Sequence, residues 1–405
     1  MNRTPARWRG LGDPCRSGVA SHTMKTPKYM FVTLLLAGIT SLVAQAVPRE
    51  PWLSMTAQPA NTLHGVTFGD GLFVAVGDLG TILTSTDGAN WTARTAATSQ
   101  VDLYAVTFGA QGFVAVGATR DSFSQPVVWT SPDGYVWTPR DVSALNLSWG
   151  NNLLGVTCGD GVYVAVGGNA TTNTVQTSTN GIDWTMRDSH LSNSGLTPLS
   201  AVAYGNGLFV AAGSWLMTSP DGLVWTQQDS SWYRVYGLTF ADGRFVGVGP
   251  YSLVCSTNGT NWTQGTQSVY DFYGVAYGDG FYLCVGNYGH PFYTANGTDW
   301  IAQTDSFFAN AIAYGNSVFV AVGPDGKIYR TASTMHLSLQ QGPTASLTLT
   351  ALVPGTCRIL GTGLLPDTNV WTTLATIPLS SSPTNWTDWD STNAAARFYR
   401  AVWTP

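Results

Sequence analysis

The sequence predicts an all-β fold: a seven-bladed β-propeller closed by an N-terminal strand and followed by a small C-terminal antiparallel β-sandwich. Two observations predict it. A thirteen-residue unit occurs seven times along the 405-residue chain, and a shorter unit that ends in Gly-x-x-Trp follows six of the seven copies. Repeats of roughly 40 residues, built from short strands and tight turns, are typical of propeller blades.

The thirteen-residue unit predicts the first two strands of each blade. Its copies are GVTFGDGLFVAVG (65–77), AVTFGAQGFVAVG (105–117), GVTCGDGVYVAVG (155–167), AVAYGNGLFVAAG (201–213), GLTFADGRFVGVG (237–249), GVAYGDGFYLCVG (274–286) and AIAYGNSVFVAVG (311–323). Val66 and Phe68 alternate with Thr67, as in a strand. The Asp-Gly or Asn-Gly step then supplies the positive φ angles that a tight hairpin needs.

The shorter unit predicts the third and fourth strands. It reads STDGANW (85–91), SPDGYVW (131–137), STNGIDW (178–184), SPDGLVW (219–225), STNGTNW (256–262) and TANGTDW (294–300). The seventh copy is missing, although a third strand is predicted up to Thr331. Trp52 precedes Val66 with nearly the spacing that separates Trp91 from Val106. We therefore expect the strand at 51–56 to complete blade seven and to leave no open sheet edge.

The N-terminus predicts export. Lys25 and Lys28 precede an apolar run at 29–36, and Ala44-Gln45-Ala46 offers small residues before a cleavage point. We expect a mis-assigned extension at residues 1–23, a signal peptide at 24–46, and a mature protein that is secreted, extracellular or periplasmic, without a membrane span. The propeller then occupies residues 47–334.

The C-terminal segment, residues 335–405, departs from the repeat. It contains short strand-like runs at 346–352, 356–360, 371–379 and 397–403, punctuated by prolines. The segment resembles a fibronectin-III-like module of secreted bacterial repeat proteins. That resemblance implies a role in attachment, spacing or export.

The motif S-x-D/N-G-x-x-W resembles the Asp-box of sialidase-like propellers, a superfamily that includes glycosidases, photosystem assembly factors and many binding proteins. The match covers about residues 51–334, and the usual spacing from Asp to Trp is one residue longer. The resemblance implies a structural turn, in which the acid or amide bonds backbone amides and the Trp packs between sheets. The implied turn residues are Asp87, Asp133, Asp221, Asn180, Asn258 and Asn296.

Composition excludes several functions. The net charge is −5, and Lys327 is the only lysine after residue 28, so a nucleic-acid partner is not expected. The cysteines show no CxxC spacing, and no metal or cofactor is expected. Glu50 is the only glutamate, so the Tyr/Glu pair of a sialidase cannot form inside the propeller. We therefore expect no enzyme of that type.

Candidate binding residues come from the variable loops, because rigid scaffolds usually carry function in such loops. The two tight turns of each blade share one face, and the variable loops share the other. The candidates are Arg120, Asp121, Trp149, Trp215, Trp232, Tyr233, Arg234, Tyr288 and His290. A face that mixes aromatic and charged side chains suits a sugar or a protein surface. Packing of these aromatics onto the ring explains them as well.

Three functions stay open at this stage. The first is a non-catalytic binding or scaffold propeller that recognises a carbohydrate or protein partner. The second is an Asp-dependent glycoside hydrolase, for which Asp141, Asp188 and Asp229 occupy equivalent positions; the same aspartates are also candidates for a Ca²⁺ site. The third is a purely structural cell-surface module.

Overall fold

Seven four-stranded antiparallel sheets form the main body of the protein. The computed structural model describes residues 32–34, 52–94, 98–142, 150–169, 171–187, 198–228, 234–266, 268–287, 289–331, 336–340, 345–350, 355–362, 372–379, 384–388 and 398–404. The predicted seven-bladed, all-β propeller is confirmed.

Six blades take their four strands, a to d, from consecutive sequence. Blade 1 contains β3 (Leu63–Gly69), β4 (Leu72–Gly77), β5 (Ile82–Ser85) and β6 (Thr92–Ala93). Blade 2 contains β7 (Val101–Gly109), β8 (Gly112–Thr119), β9 (Pro126–Ser131) and β10 (Thr138–Arg140). Blade 3 contains β11 (Asn152–Gly159), β12 (Val162–Gly168), β13 (Asn173–Ser178) and β14 (Thr185–Arg187).

Blades 4 to 6 repeat this pattern. Blade 4 contains β15 (Ala201–Gly205), β16 (Leu208–Ala212), β17 (Leu216–Ser219) and β18 (Thr226–Gln228). Blade 5 contains β19 (Gly237–Ala241), β20 (Arg244–Gly249), β21 (Ser252–Ser256) and β22 (Thr263–Gln264). Blade 6 contains β23 (Phe272–Gly278), β24 (Phe281–Gly286), β25 (Phe292–Thr294) and β26 (Ile301–Ala302).

The seventh sheet has the order β2-β29-β28-β27. Its strands are β27 (Ala311–Gly315), β28 (Val318–Val322), β29 (Lys327–Thr331) and β2 (Trp52–Thr56). Strand β2 is antiparallel to β29, with Trp52 opposite Thr331 and Thr56 opposite Lys327.

The remaining strands form two further sheets. They are β1 (Val32–Leu34), β30 (His336–Gln340), β31 (Ala345–Thr350), β32 (Gly355–Thr362), β33 (Thr372–Leu379), β34 (Thr384–Asp388) and β35 (Phe398–Thr404). One sheet has the order β1-β35-β32-β33, and the other has the order β30-β31-β34. Strand β1 lies within the predicted signal peptide and pairs with the C-terminal strand β35.

The first strands of the blades surround the propeller axis. Strand β3 contacts β7, which contacts β11, and the series continues through β15, β19, β23 and β27 back to β3. The second strands are almost entirely buried between neighbouring blades, as in β4 and β24, where every residue is buried. Their continuous apolar sequence is explained by this two-sided burial.

A glycine lies at or near the end of the second strand in all seven blades, because the backbone at the start of the first strand passes too close for a side chain. A Cβ on Gly167 would lie 1.8 Å from the carbonyl oxygen of Asn152. The equivalent distance is 2.0 Å from Gly77 to Thr62. The seven glycines are Gly77, Gly117, Gly167, Gly213, Gly249, Gly286 and Gly323.

The turns between the third and fourth strands are held by hydrogen bonds from backbone amides to their Asp or Asn side chains. In blade 1, Asp87 Oδ1 accepts hydrogen bonds from the backbone N–H groups of Ala89 (2.9 Å) and Asn90 (2.8 Å). In blade 3, Asn180 Oδ1 accepts the same two bonds, from Ile182 and Asp183. The Trp that follows each turn donates its Nε1–H to the turn glycine, as Trp137 does to Gly134 at 2.9 Å.

Replacing Gly167 with Ala should lower the free energy of unfolding by about 3 kcal/mol, because overpacking against backbone cannot relax easily. Urea denaturation followed by tryptophan fluorescence measures the change. Gly161→Ala, in the same blade, is the matched control: its φ is +73° with no atom within 4 Å of the new Cβ. Only the left-handed backbone cost of about 1 kcal/mol applies there. Equal losses in the two variants would contradict the close-approach explanation.

Asp87→Ala should destabilise the fold at neutral pH more than Asp87→Asn, because Asn keeps the acceptor that Asn180 provides naturally. Burial alone would raise the pKa of Asp87, but hydrogen bonds from Asn90, Ala89 and Ser85 lower it from 3.8 to about 2. The stability that this carboxylate contributes is therefore present above about pH 4 and is lost as the pH falls towards 2. Since the group is largely exposed, we expect less than about 1 kcal/mol.

Thermal unfolding of the wild-type protein and of Asp87→Asn between pH 5 and pH 2 tests this. The difference between their melting temperatures should shrink as the pH falls. A difference that is constant across this range would show that the carboxylate charge does not stabilise the turn.

Candidate functional site

The propeller has a turn face and a variable-loop face. Each first strand begins at the variable-loop face and ends at the turn face, where a turn such as Asp70-Gly71 joins it to the second strand. The residues at the start of the seven first strands therefore meet at one mouth of the central axis.

Seven half-buried residues stand at this mouth, one from each blade, immediately before the thirteen-residue unit. We call them the channel rim. They are His64, Tyr104, Leu154, Ser200, Tyr236, Tyr273 and Asn310. The residue before each of them is a buried core residue, as Leu63 is before His64. The rim therefore begins where the core ends.

A β-bulge places several rim residues. In blade 1 the pairing of β3 with β4 shifts register between Leu63 and Gly65, so that His64 is the extra residue. The same shift occurs at Tyr104, Leu154 and Tyr273. A bulge breaks the alternation of side chains along a strand and re-aims the extra residue.

The residue after each rim position is Gly or Ala, because neighbouring first strands approach closely there. A Cβ on Gly65 would lie 2.9 Å from the carbonyl oxygen of Tyr104 in the next blade. For Gly237 the distance to the Tyr273 oxygen would be 2.5 Å. The residue before each rim position is fixed by the buried core, and the residue after it is fixed by the close approach of the next strand. The residue type at the rim position itself is therefore free to vary from blade to blade.

Rim side chains contact their neighbours around the axis. The rings of His64 and Tyr104 meet edge to face with centroids 5.4 Å apart. The rings of Tyr236 and Tyr273 lie 5.9 Å apart. Asn310 donates its Nδ2–H to the Leu63 carbonyl oxygen at 2.8 Å, across the junction of blades 7 and 1. The rim is thus a continuous surface in these sectors.

A charged cluster lies on the rim at blades 1 and 2. His64 Nε2 and Asp78 Oδ1 are 2.6 Å apart. Asp102 Oδ1 accepts a hydrogen bond from the Arg120 guanidinium at 2.6 Å and another from the Leu79 backbone N–H at 3.0 Å. The side chain of Asp102 is 18% exposed, whereas that of Arg120 is 40% exposed. An arginine beside a carboxylate has further N–H groups to donate to a polar partner, and the second ring nitrogen of a histidine bonded to a carboxylate offers another hydrogen-bonding atom.

Tyr104 stands between these charges with its hydroxyl protonated. Burial raises the pKa of Tyr104, and the negative charges of Asp102 and Asp78 raise it further, while Arg120 lowers it. At neutral pH the hydroxyl is therefore a hydrogen-bond donor as well as an acceptor.

An aromatic row contains the rim residues of blades 5 and 6 and a residue beside the rim in blade 7. We define it as Tyr236, Tyr273 and Phe308; the rings of Tyr273 and Phe308 are 6.0 Å apart. All three residues are half-buried. Burial raises the pKa of Tyr273 most, and the negative charge of Asp271 and the neighbouring Tyr236 raise it further. The row is therefore an apolar surface with a carboxylate beside it.

Among the residues expected from the sequence, Arg120 belongs to the charged cluster at blades 1 and 2. Asp121 instead shapes its own loop, because its Oδ1 accepts bonds from Phe123 and Ser124 backbone amides and from the Thr119 hydroxyl. These bonds are consistent with the lowered pKa of Asp121.

Three other expected residues lie on the same face. Trp215 is half-buried in the loop of blade 4, and Arg234 is exposed two residues before Tyr236. His290 lies 2.9 Å from the Asp305 carbonyl oxygen and against the Tyr270 ring. Trp149, Trp232, Tyr233 and Tyr288 lie outside the described residues.

Sequence reasoning missed most of the rim. The candidates drawn from the sequence do not include His64, Asp78, Asp102, Tyr104 or Tyr273. The signal was present: the column immediately before the seven aligned units reads His, Tyr, Leu, Ser, Tyr, Tyr, Asn. It varies in polarity between a buried apolar column and a Gly/Ala column.

Other site types find little support within the described chain. No group of three or more His, Cys, Asp or Glu side chains in the described ranges is arranged to hold a metal ion. The described residues include no helix with the length and apolarity to cross a membrane. Asp141 is exposed, whereas Asp188 and Asp229 lie outside the described residues.

Comparison with known proteins supports the fold. A family model described as the DUF6242 beta propeller domain matches residues 131–272. No curated protein matches the chain. Among solved structures, "YCF48 bound to D1 peptide" is 17% identical, covers 74% of this chain and 100% of its own, and has a TM-score of 0.54.

Two further structures are similar. Virginiamycin B lyase from Staphylococcus aureus is 9% identical, with 69% of this chain and 98% of its own covered and a TM-score of 0.56. YCF48 from Cyanidioschyzon merolae is 18% identical, with 69% and 98% covered and a TM-score of 0.50. At these identities the likeness shows the fold alone, a β-propeller.

Proposed function

We propose that this protein binds a peptide segment of a protein partner across the channel rim and does not transform it. One observation carries the proposal: equivalent positions in all seven blades converge on one mouth, and they present half-exposed Tyr and His side chains beside Asp and Arg. Tyr and Arg are enriched among the residues that dominate protein interfaces.

The rim suits an extended segment because its chemistry changes from blade to blade. His64, Tyr104 and the Asp102–Arg120 pair offer hydrogen bonds at blades 1 and 2. The aromatic row offers an apolar surface at blades 5 to 7. A peptide segment that crosses the mouth would contact both the polar surface and the apolar surface. These contacts would set the orientation of the peptide as well as its affinity.

A neighbour of the same fold supports this choice of partner. YCF48 is bound to a peptide in the structure described above, so the propeller is an architecture that can bind one. A carbohydrate partner, an Asp-dependent glycoside hydrolase and a structural module are the other outcomes that the experiment below distinguishes.

We also propose that the protein is exported after cleavage near residue 46 and that the C-terminal segment 335–405 is a β-sandwich that attaches the propeller to a surface or assembly. The composition of the N-terminus supports export. Membership of the sialidase-like superfamily stays a prediction, supported by the Asp and Asn hydrogen bonds of the turns.

Panning the purified protein against a random displayed peptide library, in parallel with a glycan array scored for retention and for sugar release, tests the function. We expect peptides to be retained, and Tyr104→Ala and Tyr236→Ala each to weaken their binding by about tenfold, as expected for loss of a central interface residue. Tyr135→Ala is the matched control, because Tyr135 is 46% exposed on the turn face.

Each other result replaces the proposal with a named alternative. Retention of glycans alone would indicate a carbohydrate partner, and release of sugar would indicate a hydrolase. Weaker binding in Tyr135→Ala but not in the rim variants would move the site to the turn face.

We further propose that strand β2 closes the propeller by serving as the fourth strand of blade seven. The pairing with β29 supports this. Trp52 also donates its Nε1–H to Gln303 Oε1 at 2.9 Å, and its ring meets Phe307 with centroids 5.0 Å apart. The N-terminal strand is thereby tied to blades 6 and 7.

Trp52→Ala should therefore lower the free energy of unfolding by about 3 kcal/mol, the usual loss for a packed Trp. Chemical denaturation measures it. Leu53→Ala, on the same strand, is the control: Leu53 is 48% exposed, and its loss should cost no more than about 0.5 kcal/mol. A Trp52→Ala variant as stable as the wild type would contradict closure by this strand.

A further inference from the structure

The repeat places a carboxylate at the same position in two blades, and only one of them has a cation. Asp102 and Asp271 both lie two residues before a rim tyrosine, Tyr104 and Tyr273. Asp102 is paired with Arg120 at 2.6 Å. Asp271 forms no ion pair with any described residue.

The missing cation has a sequence explanation. Arg120 is the third residue after Gly117, the last residue of the thirteen-residue unit in blade 2. The third residue after the equivalent Gly286 of blade 6 is Gly289. A Cβ at Gly289 would lie 2.8 Å from the Tyr270 ring, so this position has no room for a long side chain. Blade 6 therefore repeats the carboxylate without its arginine.

A second acceptor in the same loop also lacks a donor. The Oδ1 atom of Asn287 is buried and has no hydrogen-bond partner among the described residues. The backbone N–H of Asn287 donates to the Asp271 carbonyl oxygen at 2.8 Å, which fixes this residue beside Asp271. An acceptor left unpaired is costly, so a donor that reached this loop would be stabilised.

The aromatic row adds a surface for a flat cation. The Tyr236, Tyr273 and Phe308 rings form a half-buried surface, and the Asp271 charge acts on the Tyr273 hydroxyl. Aromatic faces attract cations, and a guanidinium stacks on them while its five N–H groups bind acceptors at its edge.

We infer that Asp271 and the aromatic row, with the Asn287 loop beside them, form a subsite for an arginine side chain of the bound partner. This inference rests on the proposed function, because it names the residue that the partner peptide would place at blades 5 to 7. The Asp102–Arg120 pair is the same carboxylate–guanidinium contact formed within this chain.

NMR titration of the full-length protein with N-acetyl-arginine methylamide, and with its neutral citrulline analogue, tests the subsite directly. We expect the arginine probe to bind about tenfold more tightly. Asp271→Asn should remove this preference, and Tyr273→Ala should weaken binding of the arginine probe by about fivefold. Asp70→Asn is the matched control, since Asp70 is an exposed turn-face carboxylate at a position where Asn206 and Asn316 occur naturally.

The outcomes separate the subsite from the proposed function. Equal binding of the two probes, or an arginine preference that survives Asp271→Asn, would overturn the subsite even if library peptides bind the rim. Arginine preference at Asp271 without retention of any peptide would keep the subsite and reject peptide binding as the function. Loss of preference in Asp70→Asn as well would show a non-specific charge effect and would overturn the subsite.

Discussion

The close approach of seven strands around one axis is the constraint on which this structure depends. Six of the seven first strands end in a glycine, and Ala241 takes this place in blade 5. The glycine makes room for a side chain from the next blade: a Cβ on Gly69 would lie 2.2 Å from the Phe108 ring, and one on Gly315 would lie 2.1 Å from the Phe68 ring. The last contact returns from blade 7 to blade 1. Small residues are therefore required at both ends of the first strand, which explains why the thirteen-residue unit repeats so regularly.

The same constraint determines where variation is tolerated. A core residue such as Leu63 precedes the rim and a Gly or Ala follows it, so the rim residue is free to differ from blade to blade. Its side chain meets the neighbouring blade and solvent, not the core. A ring of variable residues at one mouth is thus a by-product of how the ring closes, and binding specificity can be built there without loss of stability.

The repeats and turns could be predicted because each depends on neighbouring residues and therefore leaves a sequence pattern. The patterns are the Asp-Gly steps with positive φ, the Trp three residues after the turn glycine, and the continuous apolar second strands. The rim could not be predicted in the same way. A bulge adds one residue to β3 and re-aims His64, and no pattern of alternation reveals it. Loop composition also misled, because Asp121 contributes to loop structure, whereas Asp102 at the start of a strand holds Arg120 on the rim.

Equivalent positions in different blades show two kinds of substitution: those whose lost contact is replaced by another residue of the fold, and those whose lost contact is not replaced. In blade 3, Cys158 replaces the aromatic residue found at this position in the other blades, and Tyr163 compensates: its hydroxyl accepts from the Gln111 N–H at 3.0 Å and donates to the Gly112 oxygen at 3.2 Å. Asp271 is different. Gly289 stands where blade 2 has Arg120, and no other described residue forms an ion pair with Asp271. A substitution packed between two blades must be satisfied within the fold, whereas a carboxylate without a cation at the solvent-facing rim can be paired by a partner. The contrast between these two positions is the reason to look for function at blade 6.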